Sequence, residues 1–222
     1  MAPLQDTRAL PACPSEMKDH AARMQPETPE PKRCWTTSDA AYNAYHDDEW
    51  GRPVTEERGF YERLCLEGFQ SGLSWLTILR KRENFRAAFA GFEPDRVARF
   101  GERDVQRLLN DAGIVRHRGK IEAAIANARG TLACREQGNP LEQLVWSHRP
   151  ERHRPPRGNG DWKATTPEST ALSKALKRAG FRFVGPTTVY AAMQACGVVN
   201  DHLADFFVRA DVEAAIGEAA LP

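Results

Sequence analysis

Apolar residues along this chain recur at spacings of three and four, and no stretch of useful length alternates in hydrophobicity. "KIEAAIANARGTL" places Ile121, Ala124, Ile125, Ala128 and Leu132 on one helical face, and Leu64, Leu66, Leu73 and Leu76 flank a second candidate helix. The punctuation agrees. "DVQRLLNDAG" reads as a helix stopped by Gly113, Thr166-Pro167-Glu168 opens a helix through "ALSKALKRAG" that ends at Gly180, and "TTVYAAMQACG" runs to Gly197. The fold class implied is all-α, with no strand and no internal repeat.

A chain of 222 residues, 41% hydrophobic and 27% charged, can bury a sizeable core in one full domain or two small ones. Its 31 basic and 30 acidic residues leave a net charge of +1, so any surface for a polyanion has to be built by local clustering. No apolar run approaches the roughly 20 residues that cross a bilayer, and the N-terminus lacks a signal-peptide pattern, so no membrane partner and a cytoplasmic protein are expected. Cys13, Cys34, Cys65, Cys134 and Cys196 are scattered, without a CxxC, which argues against a disulfide framework. Residues 1–32, containing "QPETPEPKR", show no sustained period and read as a disordered leader. The folded domain is expected over 33–209, with 210–222 as a C-terminal tail. "SHRPERHRPPRGNGDWKATTPES", from Ser147, reads as a long, mobile basic loop between helical blocks.

"LEGFQSGLSW" carries one carboxylate, Glu67, among glycines, small polar residues and large apolar ones. On a single helix Glu67, Ser71, Ser74 and Trp75 share one face, and Leu66, Phe69, Leu73 and Leu76 another. Gly68 and Gly72 weaken such a helix and make sense where a backbone or flat ligand comes close. A lone Glu beside helix-packing glycines most simply faces solvent. "DAAYNAYHDDEWG" adds Tyr42, Tyr45 and Trp50 among polar residues, and aromatic faces with a carboxylate suit a planar cation. A ligand box and an ordinary aromatic core both remain open on spacing alone.

"FRFVGPTTVYAAMQACG" reads as a helix, a Val184-Gly185 turn and a second helix, similar to the helix-hairpin-helix DNA-binding motif. In that arrangement the N–H groups around Gly185 and Thr187 hold a phosphate, and Lys174, Lys177, Arg178 and Arg182 add local positive charge. Arg80-Lys81-Arg82 and "RHRGK", Arg116 to Lys120, could extend the track. Any tight helical turn can use Val-Gly, so the turn alone is a weak signal. Cys34, His46 and His202 are ligand types suited to zinc, and Asp205, at i+3 from His202, is the nearby fourth candidate.

Taken in order, "RCW", "AYHDDEWG", "LEGFQSGLSW", "KRENFR", "DAGIVRHRGKI", "ALSKALK", "GFRFVG" and "MQACGVVNDH" resemble the bacterial 3-methyladenine DNA glycosylase I family from about Arg33 to Phe207. The resemblance implies a helix-hairpin-helix glycosylase fold and alkylated double-stranded DNA as partner. It also implies a flipped 3-methyladenine read by Glu67, stacked or edged by Tyr45 and Trp75, with Tyr42 and Trp50 nearby. Because the methylated base is already cationic and leaves easily, Glu67 would act by recognising the cation, with water attacking C1′ and no catalytic cofactor. The family's structural zinc would match Cys34, His46 and His202. Its fourth ligand, a cysteine, is Phe206 here, so either Asp205 substitutes or Phe206 and Phe207 close the clasp by packing. Asp201 with Asn200 is expected as a helix N-cap rather than a catalytic acid. Gly185-Pro186-Thr187-Thr188 offers no lysine to attack C1′, which implies a monofunctional enzyme that leaves the abasic site uncut. The competing readings are a non-catalytic hairpin DNA-binding module and a zinc hydrolase with Glu67 as base. A monomer is the default expectation.

Overall fold

The computed structural model describes residues 33–35, 37–220 and 222; the expected leader, 1–32, lies outside the described residues apart from its boundary. Helices follow one another as α1 (Ala40–Ala44), α2 (Glu57–Gln70), α3 (Trp75–Ala88), α4 (Pro94–Val97), α5 (Glu102–Asn110), α6 (Arg118–Glu136), α7 (Leu141–Trp146), α8 (Pro167–Arg178), α9 (Pro186–Ala195) and α10 (Arg209–Glu218). Among the described residues there is no strand, as the apolar spacing implies. No helix among them is long and apolar enough to cross a membrane.

The central layer is α2 packed between α6 and α9. Ile121, Ala124 and Ala128 of α6 are buried as their spacing requires, and so are Leu64, Leu66 and Phe69 of α2. Phe69, Phe85, Phe89 and Phe92 form a chain of ring contacts 4.6 to 5.7 Å apart that seats α3 against α2. At Gly130 the Phe181 ring lies 2.7 Å from where a Cβ would stand, so the turn after α8 nests against α6 only because that position is glycine.

"LEGFQSGLSW" is not one helix. α2 stops at Gln70, Gly72 takes φ +79°, and Ser74 caps α3 by accepting the Thr77 N–H at 3.2 Å. The buried Lys120 ammonium donates to the carbonyls of Phe69 and Ser71 at 2.9 and 2.5 Å, satisfying the end of α2 from across the fold. The tight approach expected at Gly68 is real, because Phe183 Cβ and its carbonyl oxygen lie 3.5 and 3.7 Å from a Cβ placed there. Gly72 has nothing within 4 Å and serves the turn instead. The stop read at Gly113 falls earlier: α5 ends at Asn110, and the Asp111 side chain accepts the Gly113 N–H at 2.7 Å.

The long segment between α7 and α8 is irregular as expected but anchored rather than loose. Trp162 Nε1 donates to the Asp201 carbonyl at 3.1 Å, and Ala204 N–H to the Pro156 carbonyl at 2.8 Å. The segment read as a tail carries α10, which begins at Arg209. Its Val212 and Ile216 are buried in a second apolar cluster with Cys34, Leu203, Phe206 and Val208, joining the start of the described chain to its end. Ile216→Ala should therefore lower unfolding free energy by about 2 kcal/mol or more in a urea melt. A loss under about 0.5 kcal/mol would mean that α10 is not docked.

Candidate active site

The last turn of α2 delivers Glu67 to a cavity of about 270 Å³ whose walls are mostly aromatic. Tyr42 comes from α1, Tyr45 from the π-turn Tyr45–Glu49 that follows it, and Trp75 from the first residue of α3. The widened turn brings Tyr45 to the cavity side, 5.3 Å from the Trp75 ring and 6.5 Å from Tyr42. Trp50 lines the cavity too, and its ring also stacks on His46 at 5.6 Å. Glu67, Tyr45, Trp75, Tyr42 and Trp50 are thus brought together as the sequence implied, even though the face assigned to Ser71 and Ser74 is exposed turn.

Glu67 is 6% exposed, and its side chain accepts no hydrogen bond from the described residues. Burial lifts its carboxyl pKa to about 8, and the Arg63 charge opposes this only in part. Arg63 is engaged elsewhere, 3.2 Å from Glu49 and with its guanidinium 5.7 Å from the Tyr45 ring centroid. Burial also raises the Tyr42 and Tyr45 hydroxyls, and the Glu67 charge adds to both. Trp75 Nε1 is buried without an acceptor. The pocket therefore sets an unpaired carboxyl among flat rings, a recognition surface for a planar, positively charged group bearing its own N–H edge.

Sequence reasoning missed further wall residues. Trp35, in the quoted "RCW", lines the cavity and packs 5.2 Å from Tyr42. Trp162 and Lys163 come from the segment read as a mobile loop, and Gln70 and Gln194 from α2 and α9. Gln194 gives its amide N–H to Asp201 Oδ2 at 2.7 Å, beside the Tyr190 hydroxyl on the same oxygen, also 2.7 Å. His153 Nε2 lies 2.7 Å from Asp201 Oδ1, an ion-pair distance without the alignment of a hydrogen bond. Burial pushes the Asp201 carboxyl up, but these partners outweigh it and hold it below the usual range. Asp201 is therefore not the expected N-cap, since no helix starts there; it ties Gln194 and, through its carbonyl, Trp162 to the pocket wall. Asn200 instead donates to the Arg209 carbonyl and Glu213.

The residues matched to a zinc clasp are near one another but not as a closed ligand set. His46 and His202 rings sit 5.2 Å apart, each with its Nδ1 engaged and its Nε2 buried without a partner among the described residues. Burial keeps both imidazoles neutral, His202 down to about 3. Phe206 occupies the remaining side, parallel to His202 at 5.2 Å and edge-on to His46 at 4.6 Å, while Asp205 is exposed. The Cys34 sulfur accepts the Leu203 N–H at 3.3 Å. Among the described residues no three His, Cys, Asp or Glu side chains gather closely enough to hold a metal ion. The two Nε2 atoms are imidazole donors of the kind zinc takes, but a closed tetrahedral site needs more donors than Cys34, His46 and His202 supply.

The α8–α9 turn offers its backbone. Gly185 precedes α9 without a side-chain cap and Pro186 has no N–H, which leaves the Thr187 and Thr188 N–H groups at the helix start without intrahelical carbonyls. Lys174, Lys177, Arg182 and Thr187 are exposed, but the Val184 side chain is core, 1% exposed, so only its backbone belongs to the surface. The other basic runs are largely spent inside the molecule. Arg80 pairs with Asp39 and Arg82 with Glu49, Lys81 caps the carbonyls of Ala112 and Gly113, and Arg118 pairs with Glu102 and Glu122.

A sequence profile of the family described as "Methyladenine glycosylase" matches residues 35–209, most of the chain. The chain belongs to this family. It is 51% identical over 177 residues to DNA-3-methyladenine glycosylase 1 of Escherichia coli K12, covering 78% of this chain and 94% of that protein. A crystal structure of 3-methyladenine DNA glycosylase I superposes with a TM-score of 0.77 at 50% identity, over 79% of this chain and 98% of that one. The glycosylase I of Staphylococcus aureus, solved for 3-methyladenine recognition, gives 0.75 at 36% identity, over 78% and 93%. Most of α10 lies beyond the matched family region in this methyladenine glycosylase.

The raised pKa of Glu67 makes a stability prediction for the empty enzyme. A folded pKa near 8 against 4.5 unfolded means that the folded state binds the extra proton, so Glu67's stabilising protonated form is complete below pH 4.5 and lost as pH rises through 8. Glu67→Gln abolishes that loss, and its thermal midpoint should exceed wild type by about 5 °C or more at pH 8.5 while differing little at pH 4.5. Parallel pH profiles in calorimetry would show instead that the carboxylate is solvated.

Proposed function

We propose that this methyladenine glycosylase releases 3-methyladenine from alkylated double-stranded DNA by hydrolysing the N-glycosidic bond, leaving an abasic site. The observation that carries the reading is Glu67: a buried carboxylate with no hydrogen-bond partner among the described residues, surrounded by aromatic rings. Such a group is costly in an empty pocket and useful only when a cation fills it. A methylated base extruded from the duplex brings that cation, and the charge draws the Glu67 proton off, so pairing and hydrogen bonding arrive together. Tyr45 and Trp75, whose rings already touch at 5.3 Å, border the base along one side, and Tyr42, Trp35 and Trp162 exclude water around it.

The chemistry needs little from the protein once the base is held. N3-methylation leaves the adenine positively charged, so when the C1′–N9 bond breaks its electron pair neutralises the leaving base. Water then forms the new bond to C1′ and gives up a proton. Glu67 holds the cationic ground state and its carboxylate offsets the positive charge that spreads to the sugar as the bond opens. A neutral purine lacks the charge that repays ionising Glu67, which is the basis of selection. The turn supports the monofunctional reading, since Gly185-Pro186-Thr187-Thr188 supplies no amine.

The helix-hairpin-helix reading places the exposed N–H groups at the start of α9 on a phosphate, with Lys174, Lys177 and Arg182 beside it. Glu67→Gln should cut release of 3-methyladenine from alkylated duplex, measured by chromatography, at least about a hundredfold with duplex affinity within a few-fold of wild type. Equal loss of both, or no release by wild type, would favour the non-catalytic binding module. Replacing Lys174 and Lys177 by Ala should weaken duplex binding and lower its salt slope by about one to two. An unchanged slope would remove them from the interface.

For the clasp we favour aromatic closure over zinc. Phe206 stacked on His202, with Val212 and Ile216 of α10 completing the same cluster, joins the two ends of the domain without a metal. Purified protein should carry well under one zinc per chain by elemental analysis, and chelation should leave its melting temperature unchanged. Stoichiometric zinc would overturn this.

A further inference from the structure

Phe183 combines features that no role described so far accounts for. It is a non-glycine residue at φ +55°, a conformation that L side chains adopt only at a cost, and it sits at the tip of the α8–α9 turn. Ala90 and Phe92 share that conformation, but Phe92 is fully buried, so core packing repays its strain. Phe183 is 39% exposed and gets no such return. Glycine would take this backbone freely.

The fold nevertheless enforces the geometry from both sides. The buried Asn127 side chain accepts the Arg182 N–H at 2.7 Å and donates to the Arg182 carbonyl at 3.2 Å. The buried Ser173 hydroxyl donates to the Val184 carbonyl at 2.6 Å. Strain held in place by buried hydrogen bonds is characteristic of a side chain set for contact with something outside the chain. Beneath it, Phe183 rests on glycines, its Cβ 3.5 Å from where a Cβ on Gly68 would begin and its ring edge 3.9 Å from that on Gly119. The His117 ring stands 6.3 Å away, near-perpendicular. Gly68 follows Glu67 directly, so Phe183 lies between the phosphate-binding turn and the helix that carries the recognition carboxylate.

We propose that Phe183 is a DNA-contacting residue whose exposed ring packs against the sugar and base of a nucleotide adjoining the extruded one. The inference rests on the DNA reading above. Phosphate held by the turn's N–H groups brings the strand to within a residue of this ring, and the neighbouring Arg182 is exposed and forms no ion pair with a described residue. An apolar side chain in that position gives the strand a contact that phosphate binding cannot supply and supports the distorted backbone once the base has left the stack.

The test uses the full chain and a duplex bearing a tetrahydrofuran abasic-site analogue, with Phe183→Gly and Phe183→Asn, residues that both tolerate positive φ. Thermal melts, binding of free 3-methyladenine, and duplex affinity at several salt concentrations are measured for each. Both variants should melt within a few degrees of wild type and bind the free base unchanged. Duplex affinity should fall about tenfold with an unaltered salt slope, because no phosphate contact is removed, and Phe183→Tyr should restore most of it. The proposal is overturned if either folded variant binds the duplex within about twofold of wild type. It is also overturned if free-base binding falls in step, which would make the ring a prop for the pocket, or if both variants fail to fold. Because duplex binding is read separately from base release, a failure of the glycosylase reading would show in the wild-type release assay and leave this result distinct.

Discussion

The rest of the structure serves one costly arrangement: a largely buried carboxylate that takes no hydrogen bond from the described residues. Glu67 can stay there because α2 is fixed at both ends of its last turn. Its side sits against α9 and α6, and its terminal carbonyls are taken by the Lys120 ammonium reaching across from α6. That lysine is itself buried, and burial lowers its pKa, so the cap is a second electrostatic cost accepted to keep the helix end in register. A looser helix end would let water reach Glu67, return its pKa to the ordinary range, and remove the preference for a cation.

How much of this could be read from sequence depended on whether a feature was local. Helix class and the caps at Thr166 and Gly180 followed from spacing, since each depends on a few neighbouring residues, whereas the cavity set of Glu67, Tyr45 and Trp75 came from the family resemblance, because spacing alone left a ligand box and an aromatic core both open. The break inside "LEGFQSGLSW" did not follow, because the residue that permits it, Lys120, is far off in the chain. Trp162 and Gln194 were missed for the same reason. They belong to the pocket only because Asp201, which spacing alone suggested as an N-cap, anchors both. Basic clusters misled in the opposite direction: Arg80, Arg82 and Arg118 look like a polyanion track in one dimension but find carboxylates in three.

On the proposed aromatic closure, the join at the clasp is kept with one zinc donor fewer. Removing one donor from a tetrahedral zinc site leaves polar groups that must be kept neutral, and the structure does this by burying two imidazoles whose Nδ1 atoms remain hydrogen-bonded. A flat ring in place of the missing donor covers them from one side. α10 then adds apolar area, with Val212 also approaching Gly51, whose lack of a side chain makes room for the His202 ring. Apolar burial is less directional than metal coordination, and at this site it also spans more of the chain.

Charge also ties binding to turnover. On the proposed reading the substrate base enters as a cation and is held by an ionised Glu67; after cleavage the base is neutral, and the partner that kept Glu67 ionised is gone. With a pKa near 8 in the empty pocket, the carboxyl regains a proton at neutral pH, and the attraction that selected the damaged base no longer retains the product. Burial that makes the empty site unstable is thus also what lets the site release the base. A more exposed carboxylate would discriminate less between charged and neutral purines, since water would screen the difference before and after the bond breaks.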